Sequence, residues 1–488
     1  MIAVRRAASV ASALPRPAIL SFLAPETLVA CCAALVLGAV AAGAAMSSPT
    51  LALVLIAAAT FPFVAMVTGV KRPLIAIAIL DTSLNWDVNF WYDDEAAARG
   101  AFGGLSFSLT TMALLGLYSI WLFELLARSR STPQPRLRWA LPAAAYVGLT
   151  VPSLLSAYDP RLALFEIAFL IQGLLLFVYI ASFVRTARDV HFVVATLVVA
   201  LTVQAGLIVA TRYAGVSLDF AGLETTSGGE REVSRASGTL GSPNTAGSFL
   251  AAALLLPLSL LAARTLERRA RLALPAAGLG AVALILTLSR GAWLAFAVSL
   301  VALLAFFAYR GLTSRRILAL GAATVVVGVA FGGLVADRLS RDDAGAARSR
   351  IDLFNAGVDV IRDHAFFGVG ANNFTVVLPS YAELVGYAYI PHNRFLLVWS
   401  EAGVAAALAL AALIGIVLRR GWLAIRRCEA ALVPYAVGTT VAFLALAIHM
   451  NFEPFNSRPQ LQLFWLLAGL VTAIRCLTLQ GRREVAVA

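Results

Sequence analysis

The sequence predicts an all-α protein of about fourteen membrane-spanning helices, and three observations carry that expectation. The chain is 60% hydrophobic over 488 residues, with a mean hydropathy of +0.86, against roughly 45–50% apolar residues in ordinary soluble domains. Apolar runs of about 20 residues, each enough to cross a hydrocarbon core of roughly 30 Å, recur from end to end. Period-two alternation is weak, and a lipid-embedded backbone must satisfy its own N–H and C=O groups, so the runs read as helices rather than barrel strands.

The runs fall near 27–45, 50–69, 73–92, 104–126, 139–157, 162–184, 190–212, 245–263, 272–289, 291–309, 317–336, 395–418, 431–450 and 460–478. The third is interrupted by Asp81, Asn85, Asp87 and Asn89, so its second half also fits an amphipathic segment at the interface. Most connections are short, which makes consecutive helices antiparallel neighbours. Abundant glycine and alanine lets them approach closely in lipid.

Basic residues accumulate on the side that is not translocated. With the N-terminus cytoplasmic, the inner loops hold most of the 38 basic residues and few of the 26 acids. The formal charge of +12 is then a topology signal, not a nucleic-acid signal. The resulting layout is a cytoplasmic segment 1–26, helices over 27–212, an outer loop 213–244, helices over 245–336, a large outer loop 337–394, helices over 395–478 and a cytoplasmic tail 479–488. Span one reads as retained rather than as a signal peptide. Cys31, Cys32, Cys428 and Cys476 fall in spans or inner loops, which indicates no disulfide or metal framework. No cofactor is indicated.

Long outer loops usually carry function. Within 337–394, "RSRIDLFNAGVDVIRDH" puts Ile351, Phe354, Val358 and Ile361 at helical spacing, the pattern of an amphipathic helix on the membrane surface or against the bundle. "FFGVGANNF" ends it in a turn, and "TVVLPSYAELVGYAY" reads as a second short helix.

Arginine outside the inner loops works against the topology signal, so each one invites a reason. Arg290 sits in the minimal turn "SRG" between two apolar helices and reads equally as a snorkelling interfacial residue or as a ligand-binding one. Arg235 precedes a Gly-Ser-Pro-Asn break, with Asn244 or Thr245 as the cap of the following helix. A turn running into a helix N-terminus beside an arginine suits an anion, although a plain loop arginine is the commoner case. Two such planar forks on separate elements would clamp a diphosphate through bidentate charge-assisted bonds.

Four histidines are present. His191 reads as interfacial, His364 as the end of the surface helix, and His449 as a secondary functional candidate. His392 follows Pro391 and precedes a span carrying Glu401; it reads as structural punctuation or as a general base, since neutral imidazole accepts protons at physiological pH.

The motifs "RASGTLGSPNTAG", "LSRGAW", "RSRIDLFNAGVDVIRDHAFFGVGANNF" and "PHNRFLLVWSEAG", in this order from about Arg235 to Glu401, resemble the O-antigen ligase and O-antigen polymerase superfamily of bacterial membranes. The preceding seven spans match that family only as apolar helices. The resemblance implies a C-type glycosyltransferase bundle in the inner membrane with its site on the periplasmic face. It implies a glycan donor on undecaprenyl diphosphate, an acceptor hydroxyl on a glycan or lipid A core, inversion, and no metal. It assigns the essential histidine to His392, diphosphate contacts to Arg290 and Arg235, and the arginine opening the loop helix to Arg350. Asn393, Glu401, Tyr381 and Arg212 complete the candidates as supporting residues. The chain has more spans than many ligases of that family, which leaves ligase, exopolysaccharide or O-antigen polymerase, and protein O-oligosaccharyltransferase open as acceptor choices.

A polysaccharide or lipid transporter is the rival class. Its ionisable residues would sit at mid-membrane, whereas here Gln172 and Gln204 are the mid-span polar groups and Glu166 and Glu401 lie nearer the outer ends.

Overall fold

A computed structural model describes residues 71–126, 134–215, 219–220, 223–227, 235–263, 273–312, 331–333, 335–336, 346–381 and 389–487. The expected spans 27–45 and 50–69, most of 317–336, and Cys31 and Cys32 lie outside the described residues. Among the described residues, eight helices are long and apolar enough to cross a membrane. The chain is therefore an all-α polytopic membrane protein.

Contacts divide the chain into two compact units, Met1–Ile75 with Met112–Thr132, and Ala76–Thr111 with Pro133–Ala488. In the first, Lys71 pairs with Glu124. The second carries every candidate residue.

Helix α1 (Lys71–Asp81) stops where the apolar pattern breaks, and the chain continues as β1 (Asp87–Phe90), short α2 (Asp94–Ala98) and β2 (Leu105–Ser108) before α3 (Leu109–Leu126). The expected span 73–92 is thus helical only to Asp81, and β1 pairs antiparallel with β2. Asp81 explains the stop. Its carboxylate accepts from Thr110 N–H at 2.9 Å and from Arg458 Nη1 at 2.7 Å, so it faces a partner inside the protein rather than lipid.

Helices α4 (Leu137–Thr150), α5 (Pro160–Phe183) and α6 (Ala187–Ala214) follow, α5 capped by Asp159 and α6 opened by a Thr186–Asp189 capping box. Two-residue strands β3 (Asp219–Phe220), β4 (Leu223–Glu224) and β5 (Thr226–Ser227), with β6 (Ala236–Gly238), form two small ladders. Then come α7 (Pro243–Ala253), α8 (Leu255–Ala262), α9 (Ala273–Leu286) and α10 (Arg290–Tyr309). The cap of α7 is Ser242, whose Oγ accepts from Thr245 N–H at 3.1 Å; Asn244 and Thr245 lie inside the first turn. Pro243 at the first helical position sets that register.

Helix α11 (Ala346–Asp363) and short α12 (Phe374–Val377) precede α13 (Arg394–Arg427), α14 (Val433–His449) and α15 (Arg458–Val487). Helix α15 is central: almost all of its apolar stretch is buried. It packs on α5, while α13 packs on α4 and α10 on α14.

The buried face of α11 is Leu353, Ala356, Gly357 and Val360. Ile351 and Phe354, expected on the apolar face, are exposed. The reason is close approach: a Cβ on Gly357 would lie 2.8 Å from Leu396 Cδ2, so the small-residue side of α11 seats against α13.

Helix α13 is broken at Gly403, where φ is +81°. The chain after α11 enters the break. Val369 N–H donates to Ser400 O at 3.0 Å, Gly370 N–H to Glu401 O at 2.9 Å and Val404 N–H to Ala365 O at 2.9 Å. A Cβ at Gly403 would sit 2.0 Å from Phe366 O, so only glycine admits this crossing.

Candidate functional site

The "TLSRG" turn sets Arg290 at the first residue of α10. Thr287 Oγ1 donates to Leu284 O at 2.7 Å, Trp293 Nε1 donates to the same carbonyl at 3.0 Å, and Leu288 adopts φ of +53°. A leucine in left-handed backbone is strained by about 1–3 kcal/mol, and its buried side chain holds it there. Gly291 lets the turn approach the end of α14: a Cβ there would lie 2.9 Å from Phe452 Cβ and 3.1 Å from His449 Nε2.

Arg235 comes from the other side. Its Nε donates to Thr287 O at 3.1 Å and its Nη2 to Asn244 Oδ1 at 2.8 Å. Arg350 reaches the same place from α11. Arg235, Arg290 and Arg350 line one cavity of about 170 Å³ together with Asn244, His449 and Phe452. Three guanidinium groups around so small a space suit an anion with several oxygens.

His449, at the last turn of α14, is buried in this wall. Ser457 Oγ donates to Gln460 Oε1 at 2.8 Å, so the Gln460 amide turns its Nε2 to Ser248 Oγ at 2.9 Å. Ser248 Oγ donates to Asn244 O at 3.0 Å, and its contact with His449 Nδ1 is 2.6 Å. All three contacts are satisfied together only when Nδ1 carries the proton and donates to Ser248. The bare Nε2 then faces Gly291.

His392 does not line the arginine cavity. It sits just before α13, stacked on Tyr389 with ring centroids 5.7 Å apart, and its Nδ1 lies 3.6 Å from Glu453 Oε2. The same Glu453 oxygen accepts from Asn244 Nδ2 at 3.1 Å. Histidine and arginine are therefore joined by one carboxylate and one amide, His392–Glu453–Asn244–Arg235. Asn244 reads this way round because its oxygen must face the guanidinium and its NH₂ the carboxylate.

The frame beneath His392 is rigid. Asn393 Oδ1 caps α13 by accepting from Leu396 N–H at 3.0 Å. Arg394 donates its backbone N–H to Met450 O at 2.8 Å and its Nη2 to Glu166 Oε1 at 2.6 Å. The buried ion pair ties the motif to α5, and the backbone bond ties it to the turn that carries Glu453.

The remaining candidates lie elsewhere. Glu401 Oε1 accepts from Phe374 N–H at 3.1 Å, tying α13 to α12. Tyr381 donates to Asp363 Oδ2 at 3.0 Å, closing the loop on the end of α11; burial and this carboxylate push its phenol up to about 12. Arg212, in the last turn of α6, rests against Tyr213. None of the three lines the arginine cavity. Glu453 and Asn244 as site residues escaped the sequence reading, in which Glu453 drew no comment and Asn244 was read as a cap. Among the described residues, no group of three or more His, Cys, Asp or Glu is arranged to hold a metal ion.

Residues 275–411 match the family model described as O-Antigen ligase. The match takes in Arg290, Arg350, His392, Asn393 and Glu401, and leaves Arg235, Asn244 and Glu453 outside. No curated protein matches the chain. A solved chain from a study titled "Structural coordination of polymerization and crosslinking by a peptidoglycan synthase complex" aligns at 19% identity, covering 72% of this chain and 99% of that one, with a TM-score of 0.40.

Proposed function

We propose that this chain, whose residues 275–411 match O-antigen ligase and support its place in the ligase and polymerase superfamily, moves a glycan from an undecaprenyl-diphosphate carrier to an acceptor hydroxyl at the periplasmic face of the inner membrane. One observation carries the reading: three arginines from separate elements share a small cavity, and Asn244 and Glu453 bridge from Arg235 to within 3.6 Å of His392 Nδ1.

The reaction needs two things at once. Negative charge on the departing diphosphate must be met by fixed cations, and the attacking hydroxyl must lose its proton. Arg290, Arg235 and Arg350 meet the charge. His392 takes the proton. The acceptor oxygen forms its bond to the anomeric carbon as the carbon–oxygen bond to phosphate breaks, the electron pair leaving with the diphosphate and the proton passing to imidazole nitrogen. Attack opposite the leaving group inverts the anomeric centre. No step is assigned to a metal.

The test is reconstitution of the purified protein in liposomes with a defined carrier-linked oligosaccharide and, separately, a lipid A core acceptor, a second carrier-linked glycan or a serine-containing protein. The expected product has the summed glycan mass on one acceptor, with free undecaprenyl diphosphate released. A donor that crosses the bilayer intact, with no new glycosidic product, would instead identify a transporter.

A further inference from the structure

Resting on that reading, the geometry points to Glu453 as the positioning residue for His392, and to Asn244 as the link that couples this carboxylate to the diphosphate-binding arginine Arg235.

His392 Nδ1 is buried and has no hydrogen-bond partner, yet the group it faces is a carboxylate oxygen at 3.6 Å. An imidazole against a carboxylate places its proton on the facing nitrogen, so Nδ1 carries N–H and Nε2 carries the lone pair. That is the tautomer able to accept a proton at Nε2. The carboxylate also stabilises the imidazolium as it forms, which is the part an acid plays behind a catalytic histidine in other hydrolytic and transfer sites. The separation is longer than a hydrogen bond, and apo sites commonly tighten such contacts only when substrate is bound.

Glu453 is itself held from behind. Its Oε2 accepts from Asn244 Nδ2 at 3.1 Å, and Asn244 Oδ1 accepts from Arg235 Nη2 at 2.8 Å. Asn244 lies in the first turn of α7, 209 residues from Glu453, so the link joins two elements rather than one loop. A diphosphate drawing on Arg235 moves the Asn244 amide, and with it the carboxylate that orients the base. Donor occupancy thereby sets up the histidine. A water-accessible active site without donor would otherwise hold a fully oriented base with nothing to transfer.

The experiment compares steady-state transfer by full-length wild-type protein, Glu453→Gln, Asn244→Ala and His392→Ala, with the Glu453→Gln/His392→Ala double variant, in proteoliposomes with a defined carrier-linked oligosaccharide. Glu453→Gln keeps an oxygen for Asn244 but lacks the charge; it is expected to lower kcat about 10²-fold, within the range general-base catalysis supplies, with donor KM within about 3-fold of wild type. Asn244→Ala is expected to lower kcat and raise donor KM together. In the His392→Ala background, Glu453→Gln is expected to add nothing, because the carboxylate acts only through the imidazole. Equal losses from Glu453→Gln with and without His392 would overturn the positioning role and leave a structural one. Absence of product from the wild-type protein would sink the transferase reading and this role with it, which separates the two failures.

Discussion

Arg394 Nη2 and Glu166 Oε1 form an ion pair at 2.6 Å with both side chains almost fully removed from solvent. The arginine is the second residue after His392, so this pair fixes where the histidine stands relative to α5. Removing one partner of a buried pair leaves an uncompensated charge, at a cost of about 3–5 kcal/mol. Glu166→Ala is expected to lose that much in detergent-solubilised unfolding, while joint replacement of Glu166 and Arg394 by apolar residues of similar size loses far less. A loss below about 1 kcal/mol for Glu166→Ala would contradict the pair's role.

Arg290, Arg235 and Arg350 are expected to act on donor capture. A charge-assisted hydrogen bond contributes about 1.5–3 kcal/mol, so Arg290→Ala or Arg235→Ala raises donor KM about 10- to 100-fold. Arg235→Ala also lowers kcat, because it frees Asn244. Initial rates against donor concentration check both, and unchanged donor KM would remove the arginine concerned from the clamp.

Gly403 holds the break in α13 open for the Ala365–Gly370 backbone. Gly403→Ala brings a methyl 2.0 Å from Phe366 O in left-handed backbone. The strain alone is about 1–3 kcal/mol. The expected result is faster limited proteolysis within 364–372 and a lower Tm; an unchanged digestion pattern would show that the crossing tolerates a side chain.

Tyr381 gives a pH prediction. Burial and the Asp363 carboxylate raise its phenol to about 12, so the folded state favours the protonated form. The contribution is present below pH 10 and is lost as pH rises through about 12. Tyr381→Phe is expected to cost at most about 1 kcal/mol near neutrality, given solvent screening at this partly exposed site. Unfolding titrations of the two proteins should converge above pH 12, and a constant gap would reject the contact.

The spans were legible because lipid imposes one pattern on every crossing segment, and the helices over 160–183, 187–214 and 290–309 follow it within a few residues. Arg235, Arg290, Arg350 and His392 drew attention in the sequence because cations and rare imidazoles stand out against apolar residues; the structure brings the three arginines to one cavity. Other features depend on distant partners. Asp81 ends its helix because Arg458 waits 377 residues away, and nothing local announces that. The seating of α11 turns on Gly357, which carries no hydropathy signal but allows contact with Leu396. Glu453 looked ordinary because its meaning lies in His392 and Asn244, both remote in sequence. The sequence pointed to Asn244 or Thr245 as the cap of α7, whereas Ser242 takes that place because Pro243 fits the first helical position.

Single-turnover transfer by His392→Ala tests the central claim most directly. Purified protein is loaded with radiolabelled carrier-linked oligosaccharide, donor binding is measured by equilibrium filtration, and acceptor is then added. If one imidazole serves the acceptor while guanidinium groups hold the leaving diphosphate, the variant binds donor as tightly as wild type and yields product at least about 10²-fold more slowly, the range such a base provides. Product formed at near wild-type speed would contradict it.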